Sequence, residues 1–214
     1  MALEKYRYVV VEGPIGVGKT SLARRLADHG GASTLLEKPE ENPFLPRFYS
    51  DPVRHALPTQ LFFLFQRINE VRDLNQMDLF QTRTVADYLF DKDALFARLN
   101  LNDDEFKLYQ NIYNSLAPQA PAPDLVIYLQ APMDKLFERV RRRAIAYEQP
   151  ISENYLQRLS QGYSDFFHHY DAAPVLVVNC ENLNFVDNDQ DFELLLRRIE
   201  SVRGQREFFS MGRD

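Results

Sequence analysis

Short apolar runs and amphipathic stretches alternate along this chain. Tyr6 to Val11 (YRYVVV) has the β-branched, aromatic content of a strand and runs directly into a glycine-rich turn. Thr20 to His29 (TSLARRLADH) has a helical pattern, closed by Gly30-Gly31. Ser33 to Leu36 predicts a second strand, and Lys38 to Pro58, with five prolines, predicts a long loop. Thr59 to Asn75 predicts a long helix. Thr84 to Ala86 predicts a third strand that ends at Asp87. Ala94 to Leu99 and Asp103 to Leu116 predict two helices, the second capped by Asn102 with Glu105 three residues on. Ala117 to Pro123 predicts a loop. Leu125 to Leu129 (LVIYL) is continuously apolar, as in a strand buried on both faces. Pro132 opens a helix over Met133 to Arg143. Glu153 to Tyr170 (helix), Val175 to Val178 (fifth strand) and Asp191 to Val202 (helix) complete the series. Such alternation predicts one α/β domain over 1–214, a five-stranded parallel sheet with helices on both faces. Ligands of such sheets bind at the carboxyl ends of the strands.

Composition narrows the function. The 214 residues are 45% hydrophobic and 26% charged, ordinary globular usage. The net charge is -6 and the pI about 5.3. An acidic chain makes few contacts with a nucleic acid backbone, so a polymeric nucleic acid partner is not expected. The run Leu61 to Phe65 is far shorter than a membrane span, and the amino end carries no signal-peptide pattern. The lone Cys180 precludes a disulfide within the chain and fits a reducing compartment. The expectation is a soluble, cytoplasmic protein without a membrane partner.

The chemistry begins at Gly13-Pro14-Ile15-Gly16-Val17-Gly18-Lys19-Thr20, which satisfies G-x-x-x-x-G-K-[ST] at every fixed position. A strand precedes it and a helix follows. Glycines let successive backbone N–H groups turn toward phosphate oxygens, and the helix adds its positive end. Lys19 offers a compact charge to the outer phosphates, Thr20 a hydroxyl to Mg²⁺, and Ser21 continues the first turn. ATP or GTP binding is therefore expected, though the loop alone does not name the reaction. No N-K-x-D-like base-reading motif accompanies it, which argues against a GTPase switch.

The stretches VVVEGPIGVGKTSLARRLA, LLEKPEENPFLPRFYSDP and TQLFFLFQR resemble the deoxynucleoside kinases, most closely the bacterial deoxyadenosine/deoxyguanosine kinase branch. The resemblance covers Tyr6 to Ile199 in order. It implies the P-loop kinase fold and a homodimeric enzyme that uses ATP and Mg²⁺ to phosphorylate a deoxynucleoside, purine favoured, at its 5′-hydroxyl in nucleotide salvage. Glu37 matches the general base; Glu40 and Glu41 read as a solvated acidic loop. Gln60 and Arg67 match the base-reading pair and Asp93 the acid beside that arginine. Gln60, Phe63 and Arg67 fall on one helical stripe, suited to a flat heterocycle; the alternative is a core Phe63 with Arg67 snorkelling at its edge. Tyr49 and Glu148 match residues that hold the sugar 3′-hydroxyl. Arg139 and Arg143 match arginines of a lid, here around 139–150, that closes over the phosphates; Arg141 and Arg142 read as surface. Asn184 and Phe185 lie where the family holds the donor adenine. Asp87 keeps the acid expected beside Mg²⁺.

One departure stands out. The family carries acid-Arg-Ser at the end of the third strand, and this chain has Asp87-Tyr88-Leu89. Arg83 or a lid arginine is a candidate substitute. The missing arginine also leaves open a nucleotide-binding regulatory protein without kinase activity. Arg47 and Arg54 leave open a nucleoside monophosphate as acceptor.

Overall fold

The computed structural model describes residues 3–77, 83–116 and 120–212. Its centre is a parallel sheet of β1 (Tyr8–Glu12), β2 (Ser33–Leu35), β3 (Thr84–Ala86), β4 (Leu125–Gln130), β5 (Val175–Asn179) and β6 (Arg206–Ser210), in the order β2-β3-β1-β4-β5-β6. Tyr8 pairs with Thr84 on one side of β1, and Val10 with Val126 on the other. The chain leaves β1 in one direction and crosses to β4 in the other, which opens a crevice at the carboxyl end of β1.

Strand alternation divides the core. Val9, Val11, Leu125 and Ile127 meet Leu22 and Leu26 of α1 (Lys19–Gly30) and Leu195 and Ile199 of α8 (Asp189–Ser201). Val10, Val126 and Val175 face the other way, against Leu159, Tyr163 and Phe167 of α7 (Glu153–His169). A third cluster lies among α2 (Leu45–Ser50), α3 (Pro52–Met77), α4 (Lys92–Asn100) and α5 (Asp103–Leu116). The helix α6 (Met133–Arg143) follows β4 as predicted. The capping box at α5 forms: Asn102 Oδ1 accepts from Asp104 and Glu105 N–H, and Glu105 Oε2 accepts from Asn102 N–H.

Two expectations are corrected. The sheet has a sixth strand, because β6 pairs in parallel with β5, from Val175 opposite Arg206 onward. Its residues, REFFS, are half polar and lie on an edge, so no continuous apolar run marks them. The long loop at Lys38 to Pro58 is mostly helical: a 3₁₀ turn at Pro39–Glu41, then α2 and the start of α3. Pro46 and Pro52 lie in first turns, where a missing N–H loses no helical bond. Pro58 lies inside α3. Burial of Ala56, Leu64, Ile68 and Val71 on that helix outweighs the proline's propensity cost of about 3 kcal/mol. Residues 117–119 of the predicted 117–123 loop lie outside the described residues.

Candidate active site

The loop from Gly13 to Gly18 sits in the crevice, and at two of its positions, 13 and 16, glycine alone fits. Gly13 has φ 148°, and a Cβ on it would stand 2.4 Å from the Leu129 carbonyl oxygen. Gly16 has φ 88°, with a Cβ position 2.8 Å from the Leu136 carbonyl oxygen. Pro14 and Val17 are buried, and Val17 joins the core beneath the loop. Glu12 anchors the loop from below: its carboxylate accepts from Gly13 N–H at 2.9 Å, Leu89 N–H at 2.7 Å and the Tyr163 hydroxyl at 3.0 Å. Lys19 and Thr20 open α1, whose first turn holds no acid of its own. Lys19 Nζ donates to the Gly13 carbonyl at 2.8 Å and the Pro14 carbonyl at 3.3 Å. Burial, then the Lys92 charge, lowers its pKa.

One cavity beside the loop gathers most of the predicted acceptor residues: Ile15, Lys19, Thr20, Glu37, Tyr49, Gln60, Phe63, Arg67, Asp87, Arg143 and Glu148. Glu37 follows β2, and its N–H donates to Asp87 Oδ1 at 2.8 Å. Asp87 directly follows β3, and its Oδ2 accepts from the Thr20 hydroxyl at 2.5 Å. Burial raises the Asp87 pKa, opposed by those two hydrogen bonds. Arg67, on α3, pairs with Glu37 Oε1 and with Asp93 Oδ1 of α4. Asp93 also accepts from the Tyr109 hydroxyl at 2.5 Å. Arg67 lies 5.1 Å from the Phe63 ring centre, so the stripe of Gln60, Phe63 and Arg67 faces the cavity. Arg67 is anchored by two carboxylates, which excludes the snorkelling alternative. Gln60 Oε1 is buried and has no hydrogen-bond partner among the described residues. Burial alone would raise the Glu37 carboxyl, but the charges of Lys92 and Arg67 hold it down to about 2. Glu148 pairs with Arg143 at 3.0 Å; burial raises its pKa against that cation. Burial lifts the Tyr49 hydroxyl well above its usual range.

A second hollow lies across the loop, lined by Gly16, Val17, Gly18, Ser21, Arg139, Arg142, Arg143, Asn184 and Phe185. Arg139 donates to the Val17 carbonyl at 3.3 Å, tying α6 to the loop. Phe185 is buried in the core, and its carbonyl accepts from Arg25 at 2.8 Å. Arg143 lines both hollows and joins them.

The profile of the deoxynucleoside kinase family matches residues 9–203. The chain belongs to this family. It is 30% identical over 206 residues to a deoxyadenosine kinase of Lactobacillus acidophilus, spanning 90% of this chain and 94% of that one. It is 30% identical over 200 residues to a deoxyguanosine kinase of Bacillus subtilis, spanning 91% and 97%. Deoxyadenosine kinase from M. mycoides, solved with dCMP and a flexible dCDP bound, superposes with a TM-score of 0.80 at 23% identity, over 91% of this chain and 100% of that one. As a member of the deoxynucleoside kinases, the chain is a phosphotransferase.

Some cations of this deoxynucleoside kinase site lie elsewhere than the sequence suggests. Arg83 donates to the Gly30 carbonyl at 3.3 Å, near the amino end of β3, so it cannot stand in for an arginine at position 88. Arg142, which reads as surface, lines the second hollow, whereas Arg141 lies over the Phe137 ring at 4.4 Å. Lys92 is a site residue that the sequence pattern does not reveal: it opens α4, is 2% exposed, and places Nζ 3.4 Å from Glu37 Oε1. The apolar periodicity starts only at Ala94, two residues beyond it. A lysine just past a strand's carboxyl end in an α/β sheet is the available signal.

The donor set suits a hard cation. Thr20 Oγ1 and Asp87 Oδ2 are adjacent oxygens, of the kind Mg²⁺ takes alongside water and phosphate. Among the described residues no group of three His, Cys, Asp or Glu could hold a metal ion by itself, and a magnesium that draws ligands from a nucleotide needs none. No described helix is long and apolar enough to cross a membrane.

Proposed function

We propose that this chain transfers the terminal phosphoryl group of ATP to the 5′-hydroxyl of a purine deoxynucleoside, as a nucleotide salvage enzyme and a homodimer. The observation that carries the reading is one cavity in which Glu37, Arg67 and the Lys19–Thr20–Asp87 cluster converge, with Asp93 paired to Arg67 from behind the cavity wall. Relatives named deoxyadenosine and deoxyguanosine kinase support the purine preference.

The loop amides and Lys19 hold the triphosphate from the second hollow, with Asn184 and Phe185 beside its base. Thr20 and Asp87 would hold Mg²⁺, which neutralises phosphate charge when bound. Gln60, Phe63 and Arg67 bind the acceptor base, and Tyr49 and Glu148 its sugar. Glu37 Oε2 takes the proton of the 5′-hydroxyl as that oxygen bonds to the γ-phosphorus and the bond to the β-phosphate oxygen breaks. Arg139 and Arg143 meet the charge that develops on the transferred group. The exposed Arg47 and Arg54 do not line the acceptor cavity, which favours an uncharged nucleoside over a monophosphate.

Transfer of label from γ-labelled ATP to each of the four deoxynucleosides tests the proposal. Labelled 5′-monophosphate of deoxyadenosine or deoxyguanosine is the expected product. Tight ATP binding with no transfer to any of the four would instead support the regulatory reading.

A further inference from the structure

The roles assigned above leave one buried charge in the acceptor cavity unused. Lys92 sits at the first position of α4 with its side chain closed to solvent. Its Nζ lies 3.2 Å from Glu12 Oε1 and 3.4 Å from Glu37 Oε1. A buried ammonium needs a counter-charge, and Glu12 alone satisfies that need. Glu12 is itself immobile, its two oxygens taken by Gly13 N–H, Leu89 N–H and the Tyr163 hydroxyl. Lys92 is therefore mounted on a fixed carboxylate and reaches from there to Glu37.

On Glu37 it meets the same oxygen, Oε1, that Arg67 contacts from α3. The Arg67 hydrogen bond and both ion pairs of the Glu37 carboxylate fall on Oε1. Two cations thus hold one oxygen and leave the other for chemistry. Position 88 contributes no charge here, since the Tyr88 hydroxyl donates to Glu70 Oε2 at 2.5 Å.

We propose that Lys92 is a positioning residue for phosphoryl transfer: braced on Glu12, it works with Arg67 to fix Glu37 Oε1 so that Oε2 takes the acceptor proton. The proposal rests on Glu37 being the base.

A double-mutant cycle on the full chain tests it, with Lys92→Met, Glu37→Gln and the pair, reading kcat and both KM values, together with Lys92→Arg. Lys92→Met is expected to lower kcat by about 10²-fold with KM for ATP unchanged, and Lys92→Arg to recover most of the loss. In the Glu37→Gln background, Lys92→Met is expected to cost no further kcat. Losses that multiply in the double variant, a Lys92→Arg enzyme no better than Lys92→Met, or an unchanged kcat in Lys92→Met would each overturn the proposal. An unchanged kcat in Glu37→Gln alone would instead remove Glu37 as the base. If Lys92→Met does not fold, Lys92→Gln replaces it in the same cycle with the same outcomes.

Discussion

Arg67 and Asp93 form an ion pair closed to solvent, with side-chain exposures of 5% and 0%. The same guanidinium reaches Glu37, so one cation links the acceptor carboxylate to the wall of helices. The Tyr109 hydroxyl occupies the other Asp93 oxygen. This array has little freedom to reorient, so this wall of the cavity is preorganised.

Removing one partner of such a pair leaves an uncompensated buried charge. Asp93→Ala is expected to destabilise the fold by about 3–5 kcal/mol and weaken nucleoside binding. Urea unfolding measures the first effect. An unchanged midpoint would show that Arg67 finds sufficient compensation in Glu37.

In the proposed reaction Lys19 supplies charge at the phosphates, and its backbone opens α1. Lys19→Ala should therefore reduce turnover by at least about 10²-fold while leaving the circular dichroism spectrum intact. Turnover within a few-fold of the parent enzyme would refute this role.

Gly13 has no room for a side chain: a Cβ there would lie 2.4 Å from the Leu129 carbonyl oxygen, and its φ is 148°. Gly13→Ala is expected to cost at least about 1–3 kcal/mol in stability and to abolish the thermal shift on adding ATP. Differential scanning fluorimetry reads both.

Arg143 and Arg141 provide a contrast on one helix. Arg143 lines both hollows, and Arg141 rests on Phe137. Arg143→Ala should lower kcat by at least about tenfold, and Arg141→Ala should leave it unchanged. Steady-state kinetics of the two variants decides the matter; equal effects would mean that general charge on α6 matters rather than position.

The Glu37 carboxyl is held down to about 2 from an ordinary value of 4.5. A depressed carboxyl contributes stability that is complete above its unfolded pKa and is lost as pH falls through its folded one. The stability difference between the parent protein and Glu37→Gln should therefore be constant above about pH 5 and shrink between 4.5 and 2. Unfolding titrations at several pH values check the trend, and a pH-independent difference would contradict it. In the free enzyme Glu37 stays ionised through neutral pH, so an acid limb in kcat/KM at mildly acidic pH belongs to another group.

The parts legible from sequence were those encoded by neighbours along the chain. The phosphate loop is one contiguous run, the α5 capping box spans four residues, and each buried strand shows as an apolar run. These local patterns determined the α/β class, the order of the main elements and the end of the sheet at which the glycine-rich loop lies. The tertiary structure decided what depends on distant segments meeting. It made a helix through Pro58 because burial outweighed propensity, and it added β6 because β5 offered an edge to pair with. It also brought Glu12, Glu37 and Lys92 together from the ends of β1 and β2 and the start of α4. No local pattern announces that meeting, because a buried ammonium is recognised only by the carboxylates that folding places around it.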